Sequence, residues 1–240
     1  MYNSSPFAKH ILPNEGNTMF IPEPFVKEPP KSSMIIGSFS KPKILELIDA
    51  NKIPDCYAHS VGIFEIETGR MLSVNRGYGD VDCDKLYDGG FAYYTIIWRQ
   101  PTNVGRNLQP ATMMADRHSY YELNLWHIGN LTPNAVKRLQ HDEDNIERWD
   151  TQLFIKHLCR FGAPVDIEGS FACVYCDDVD LFVFRNELEN MYIDNDLNIC
   201  SNVFPDSFVV SQNKVWKFDW KKKQINSVEE FQTVKQWWKI

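Results

Sequence analysis

Gly169-Ser170-Phe171-Ala172-Cys173-Val174, followed by Leu181-Phe182-Val183-Phe184-Arg185-Asn186 and then by Cys200-Ser201-Asn202, is the stretch that decides the fold. Aromatic and β-branched residues in short runs broken by Asp and Asn read as strands. Downstream, residues 191–194, 198–202, 208–210 and 215–219 continue as strands. Upstream the period changes. Residues 150–161 carry Leu153, Phe154, His157 and Leu158 on one helical face and stop near Gly162 and Pro164. Thr132-Pro133, ahead of Ala135, Val136 and Leu139, reads as a capped helix start with proline in the first turn. Further back, residues 91–98 and 120–127 are β-like. Residues 60–66 and 71–74 flank Glu67-Thr68-Gly69-Arg70 as a hairpin in which Gly69 supplies a positive φ. Ser33-Met34-Ile35-Ile36-Gly37 suits a buried strand, and residues 41–51 place Ile44, Leu45, Leu47 and Ile48 at helical spacing. Strands, helices and strands again predict an α+β protein in which helices cover antiparallel sheets.

Composition narrows the partners. The 240 residues are 43% apolar, enough for a sizeable core, and the net charge is -7, with 32 acidic against 25 basic residues. That balance gives no reason to bind a phosphate backbone, so nucleic acid is excluded as an expected partner. No window suits a membrane span or a signal peptide, which places the chain in the cytoplasm. The six cysteines sit mostly in apolar runs and read as free thiols. Cys173 and Cys176 have C-x-x-C spacing, but on a strand positions three apart face opposite ways. No spacing picks out a metal or cofactor.

Residues 1–32 read as an extended arm ahead of a domain at 33–240. The arm holds six of the thirteen prolines (Pro6, Pro13, Pro22, Pro24, Pro29, Pro30) with apolar clusters between them. It is either a strap on its own domain or a grip on a neighbouring subunit or protein partner. A separate site around His59, His127 and the acidic residues Asp80, Asp82 and Asp84 is a further alternative.

The order of these pieces resembles the glutaminase domain of class II glutamine amidotransferases, over roughly residues 33–210. The Gly169–Val174 and Leu181–Asn186 runs and Cys200-Ser201-Asn202 match the family's Gly-Ser-Phe-Ala strand, its strand ending in arginine and its later serine-rich strand. The resemblance implies an N-terminal-nucleophile-hydrolase-like sandwich of antiparallel sheets with helices. It also implies a site: Arg99 in Trp98-Arg99-Gln100-Pro101-Thr102 as clamp on the glutamine α-carboxylate with Thr102 beside it, and Asp150 in Trp149-Asp150-Thr151 as partner of the α-ammonium. Ser33 falls at the nucleophile, and Gly129 in His127-Ile128-Gly129 at the oxyanion hole.

Three departures set this chain apart from that family. Ser33-Met34 stands where the family has Cys-Gly, and Ile128 stands where it has the oxyanion asparagine. Losing one such donor costs about 2.7 to 4 kcal/mol, a factor of roughly 100 to 1,000 in rate. Cys56-Tyr57-Ala58-His59-Ser60-Val61-Gly62 keeps only the serine and last glycine of Arg-Gly-x-Asp-Ser-x-Gly. In addition, 32 residues precede Ser33, so its nitrogen is an amide with no basic lone pair. These features predict a catalytically inactive relative acting as a structural or interaction module, with glutamine as a residual ligand. The alternative is an active glutaminase that uses Ser33 once the arm is removed. The short form without a synthase domain also resembles proteins encoded by large tailed bacteriophages, which implies a role in a virion or its assembly.

Overall fold

The computed structural model describes residues 33–51, 56–87, 89–98, 108–116, 120–142, 149–177 and 180–232. The arm at 1–32, Arg99 and Thr102 lie outside the described residues. Among the described residues, two antiparallel sheets of seven and six strands pack face to face with three α-helices outside them. The expected α+β sandwich is what forms.

The first sheet is built around β1 (Ser33–Ser38), which pairs with β4 (Phe91–Trp98) in unbroken register from Ser33↔Trp98 to Ser38↔Tyr93. Beyond β4 lie β2 (Ala58–Glu65) and, at the edge, β3 (Met71–Tyr78). On the other flank the two-residue strands β9 (Tyr192–Ile193), β10 (Ile199–Cys200) and β11 (Phe208–Val209) complete it. They are shorter than the sequence predicts, and at their ends side chains share the pairing with the backbone. Beside β10, the Ser201 hydroxyl accepts from the Ile35 N–H at 3.2 Å, while Ser201 N–H donates to the Ile35 carbonyl at 2.9 Å.

The second sheet runs β13 (Gln224–Glu230), β12 (Lys214–Asp219), β8 (Leu181–Arg185), β7 (Gly169–Asp177), β6 (Tyr120–Leu131), β5 (Ala111–Asp116). Strands β5 and β13 have no counterpart in the sequence reading. β13 carries Gln, Asn, Ser and Glu, and its mostly exposed edge position hides the apolar alternation on which strand recognition depends. β6 continues four residues past the expected end because β7 pairs with it all the way to Leu131↔Gly169.

Helix α1 (Lys41–Ala50) covers the first sheet, burying Ile44 and Leu47 with Met34, Ile36, Val61 and Tyr93. α2 (Pro133–Asp142) and α3 (Asp150–Phe161) cover the second. The Thr132 hydroxyl accepts from Ala135 N–H at 3.1 Å, the cap expected ahead of α2. α3 stops at Gly162, whose φ of 80° is the left-handed cap that glycine allows. The predicted hairpin turn likewise closes on Gly69 at φ 74°.

The arginine that ends β8 is structural. Buried Arg185 donates to three backbone carbonyls: Val210 at 2.5 Å, Asn186 at 3.1 Å and Glu189 at 3.0 Å. Asn186 returns to β7, accepting from Phe171 N–H and donating to the Gly169 carbonyl. One Arg-Asn pair thus satisfies the backbone where β7, β8 and the following turn meet. Among the described residues no helix is long and apolar enough to cross a membrane.

Candidate functional site

Strand alternation sorts the site residues onto layers. On β1, Ile35 enters the core between the sheets, whereas Met34 and Ile36 enter the layer under α1. Ser33 therefore shares the inter-sheet face with Ile35. Met34, the departure beside it, points the other way: it is 1% exposed, with its sulfur receiving the Asn202 amide at 3.0 Å. A methionine here fills space below α1 and takes none from the face that carries Ser33.

β6 faces β1 across the sandwich. Trp126 and Ile128 project into the inter-sheet core together with Ile35, and Ile128 is 3% exposed. Where the resemblance places an amide side chain, this chain buries a hydrocarbon that can donate nothing to a developing oxyanion. Gly129 follows at φ 101°, and a Cβ there would lie 2.1 Å from the Ser170 carbonyl oxygen. β5 ends before this point, and Gln109 takes its place: its side chain accepts from His127 N–H and donates to the His127 carbonyl, both at 2.7 Å. Gln109 is a structural residue that sequence reasoning missed. No motif marks it, since its role comes only from standing in for a missing strand.

Asp150 sits on the opposite side of β6, in the first turn of α3 and almost fully buried. Its Oδ1 accepts from Thr151 N–H at 2.8 Å, and the Thr151 hydroxyl meets His127 Nδ1 at 3.3 Å. Asp150 is thus linked through Thr151 to His127, two residues before Gly129 on β6, while Ser33 and Ile128 share the layer between the sheets.

His127 and Cys173 are cross-strand partners on the face covered by α3. With Asp150 they have the residue types of a cysteine nucleophile and its base, but not the electrostatics. Burial pushes the Cys173 thiol well above its ordinary pKa, and the charges of Asp150 and Glu189 push the same way. Burial also lowers the His127 pKa, against opposing contributions from Asp150, Glu189 and the Ser170 backbone. A protonated thiol beside a neutral imidazole is a packed core pair, not an activated nucleophile. C-x-x-C is split as the sequence predicts: Cys173 faces the helices and Cys176 the inter-sheet core.

The lowered pKa of His127 has a consequence for stability. The unfolded imidazole, near 6.5, takes up a proton before the folded one does, so stability falls as pH drops through that value toward the folded pKa. Urea denaturation at pH 7.5 and 5.5 should show a loss of stability on acidification that is smaller in His127→Gln. Equal pH dependence in both proteins would contradict a buried neutral His127.

His59 is nowhere near His127. It lies on the α1 side of the first sheet, with Nδ1 2.8 Å from the Gly79 carbonyl, in a cleft of about 330 Å³ that Asp80, Asp82, Lys85 and Leu86 also line. A combined site of His59 and His127 is therefore ruled out. Among the described residues no three His, Cys, Asp or Glu side chains could hold a metal ion.

No protein-family model and no curated protein matches the sequence. Solved structures do match the fold. A glutamine phosphoribosylpyrophosphate amidotransferase from B. subtilis, determined with ADP and GMP, superimposes with a TM-score of 0.60 at 13% identity. The match covers 82% of this chain and 49% of that one. A structure described as the allosteric regulatory enzyme of purine biosynthesis gives a TM-score of 0.56 at 14% identity, over 82% and 48%. The chain spans about half the length of these proteins and has the fold of an N-terminal-nucleophile-type glutamine amidotransferase domain.

Proposed function

We propose that this chain is a catalytically inactive glutamine-amidotransferase-like protein that serves as a structural or interaction module. The observation that carries the reading is Ile128. It stands next to Gly129 on the inter-sheet face that Ser33 shares, where a hydrolytic site of this fold needs a hydrogen-bond donor and finds a buried alkyl group. Ser33 adds to it, since a hydroxyl nucleophile requires a base, and the nitrogen of Ser33 is acylated by residue 32 in the full chain. The pair that most resembles a substitute, Cys173 and His127, is held in its unreactive protonation states by burial. Asp150, with Arg99 and Thr102, is the set that would retain glutamine as a ligand. The arm at 1–32 is the segment that would engage a partner protein, in a particle or its assembly if the chain is phage-encoded.

Intact mass and glutamine hydrolysis, measured on one sample from the native source, test this. The expected result is the full-length mass with no ammonia released. A mass beginning at Ser33 together with glutamine turnover would overturn the proposal in favour of a processed serine glutaminase. Titration calorimetry with millimolar glutamine checks the ligand separately: heat that disappears in Asp150→Asn supports a retained binding site, and no heat removes glutamine from the proposal.

A further inference from the structure

The cleft at His59 stands apart from the layer that carries Ser33 and Ile128. On β2, Val61 and Ile63 enter the layer under α1, and by alternation His59 points the same way. Its side chain is 7% exposed. Nδ1 lies 2.8 Å from the Gly79 carbonyl oxygen. A carbonyl can only accept, so Nδ1 carries the proton, and in the neutral ring Nε2 is an acceptor. Among the described residues no hydrogen bond reaches Nε2, and it keeps contact with the cleft that His59 lines. Gly77, the cross-strand partner of His59, gives the ring its seat. A Cβ there would come within 2.7 Å of Cε1 and 2.8 Å of Nε2. The edge of the ring that bears Nε2 therefore lies over Gly77, itself a wall of the cleft.

The other walls set the charge and shape of what Nε2 would meet. Buried Val61 and Leu86, with half-buried Val81, give the cleft an apolar side continuous with the layer under α1. Asp80, Asp82 and Lys85 line it too, and all three are exposed. Lys85 Nζ is 2.9 Å from Asp82 Oδ2. The Arg76 guanidinium is turned away, donating to Pro110 and Thr112. Two carboxylates thus stand against one ammonium, a surplus of one negative charge. The hydrogen bond from Lys85 holds the Asp82 carboxyl below the usual carboxylate range, and the closeness of His59 adds to it. At about 330 Å³ the cleft is at the small end of ligand sites. A deep acceptor nitrogen, excess carboxylate at the surface and hydrocarbon between them disfavour an anion and suit a short chain that carries N–H donors and positive charge.

We propose that this cleft binds a small alkylammonium ion, with its N–H donating to His59 Nε2, its charge beside Asp80 and Asp82, and its chain against Val61 and Leu86. The site is independent of any glutamine bound near Asp150, since the two lie in different layers.

Titration of the 15N-labelled full chain at pH 8 with n-butylamine, n-butanol and butyrate, followed through the histidine ring resonances, tests it. The His59 signals are identified by their loss in His59→Gln. Butylamine should move the His59 Nε2 resonance saturably, with half the change at about 1 mM or below. Butanol and butyrate, of similar size without the positive charge, should bind about tenfold more weakly or less. Asp82→Asn changes an exposed side chain and should weaken butylamine about threefold, with an unaltered melting profile. Gly77→Ala should weaken it further by pushing the ring off its seat. No movement of the His59 resonance at about 10 mM butylamine, an equal response to all three compounds, or tighter binding of butyrate would overturn the proposal. So would a response unchanged in both Asp82→Asn and Gly77→Ala, which would assign the amine to another surface.

Discussion

Trp126→Ala is expected to destabilise the protein by about 3 to 5 kcal/mol, the range for removing a fully buried large aromatic side chain. Trp126 has no solvent exposure and stands between the sheets. Its indole N–H donates to the Ser60 hydroxyl at 3.0 Å, and its ring lies against Gly62, where a Cβ would come within 2.7 Å. Alanine would leave a cavity that Gly62 cannot fill, next to Phe64 at 6.3 Å between ring centroids. It would also remove the indole N–H that donates to the buried Ser60 hydroxyl. Trp126→Phe keeps most of the apolar volume and loses the hydrogen bond, so its cost should fall well short of alanine's. The measurement is the urea midpoint at constant m-value. A loss below about 1.5 kcal/mol for alanine would mean that the two sheets are not held together here.

Gly129→Ala should cost about 3 kcal/mol or more, from two separable sources. A non-glycine residue at φ 101° is strained by roughly 1 to 3 kcal/mol. The added methyl would also lie 2.1 Å from the Ser170 carbonyl oxygen and 2.6 Å from its carbon, so β7 would have to move. Gly79→Ala is the natural control. Gly79 also has a positive φ, 74°, but a Cβ there meets nothing within 4 Å. It should show the conformational cost alone. Faster hydrogen exchange at residues 169–171 in Gly129→Ala, and not in Gly79→Ala, would locate the difference at the β6–β7 contact. Equal losses in the two variants would show that β7 yields without cost. The result also bears on the site, because the residue that the resemblance assigns to an oxyanion hole has here a structural reason to be glycine.

Much of the architecture was legible because it is written locally. The bounds of α3 follow from Asp150 in the first turn, the apolar stripe Leu153, Phe154, His157 and Leu158, and Gly162 at the end. β4 is found whole at Phe91–Trp98 since its residues, Ala92 apart, are all aromatic or β-branched. The site was legible only as a list of positions. Met34 and Ile128 look alike in the sequence as apolar replacements of a motif, yet one fills the layer under α1 and the other the layer between the sheets. Their consequences differ accordingly.

By itself, then, the sequence determined the segments that carry their own period and punctuation: the helices with their Thr132 and Gly162 caps, the hairpin at Gly69, and the strands whose neighbours on both faces are apolar. Only the tertiary structure decided which layer each side of a strand faces, that Gln109 replaces a missing strand beside His127, that His59 and His127 lie in different layers, and that β3 ends a sheet. The physical reason is that a strand's period of two residues specifies which side chains share a face but not what covers that face. That depends on partners far away in the chain, such as Ser201 with Ile35 and Arg185 with Val210, which no local pattern records.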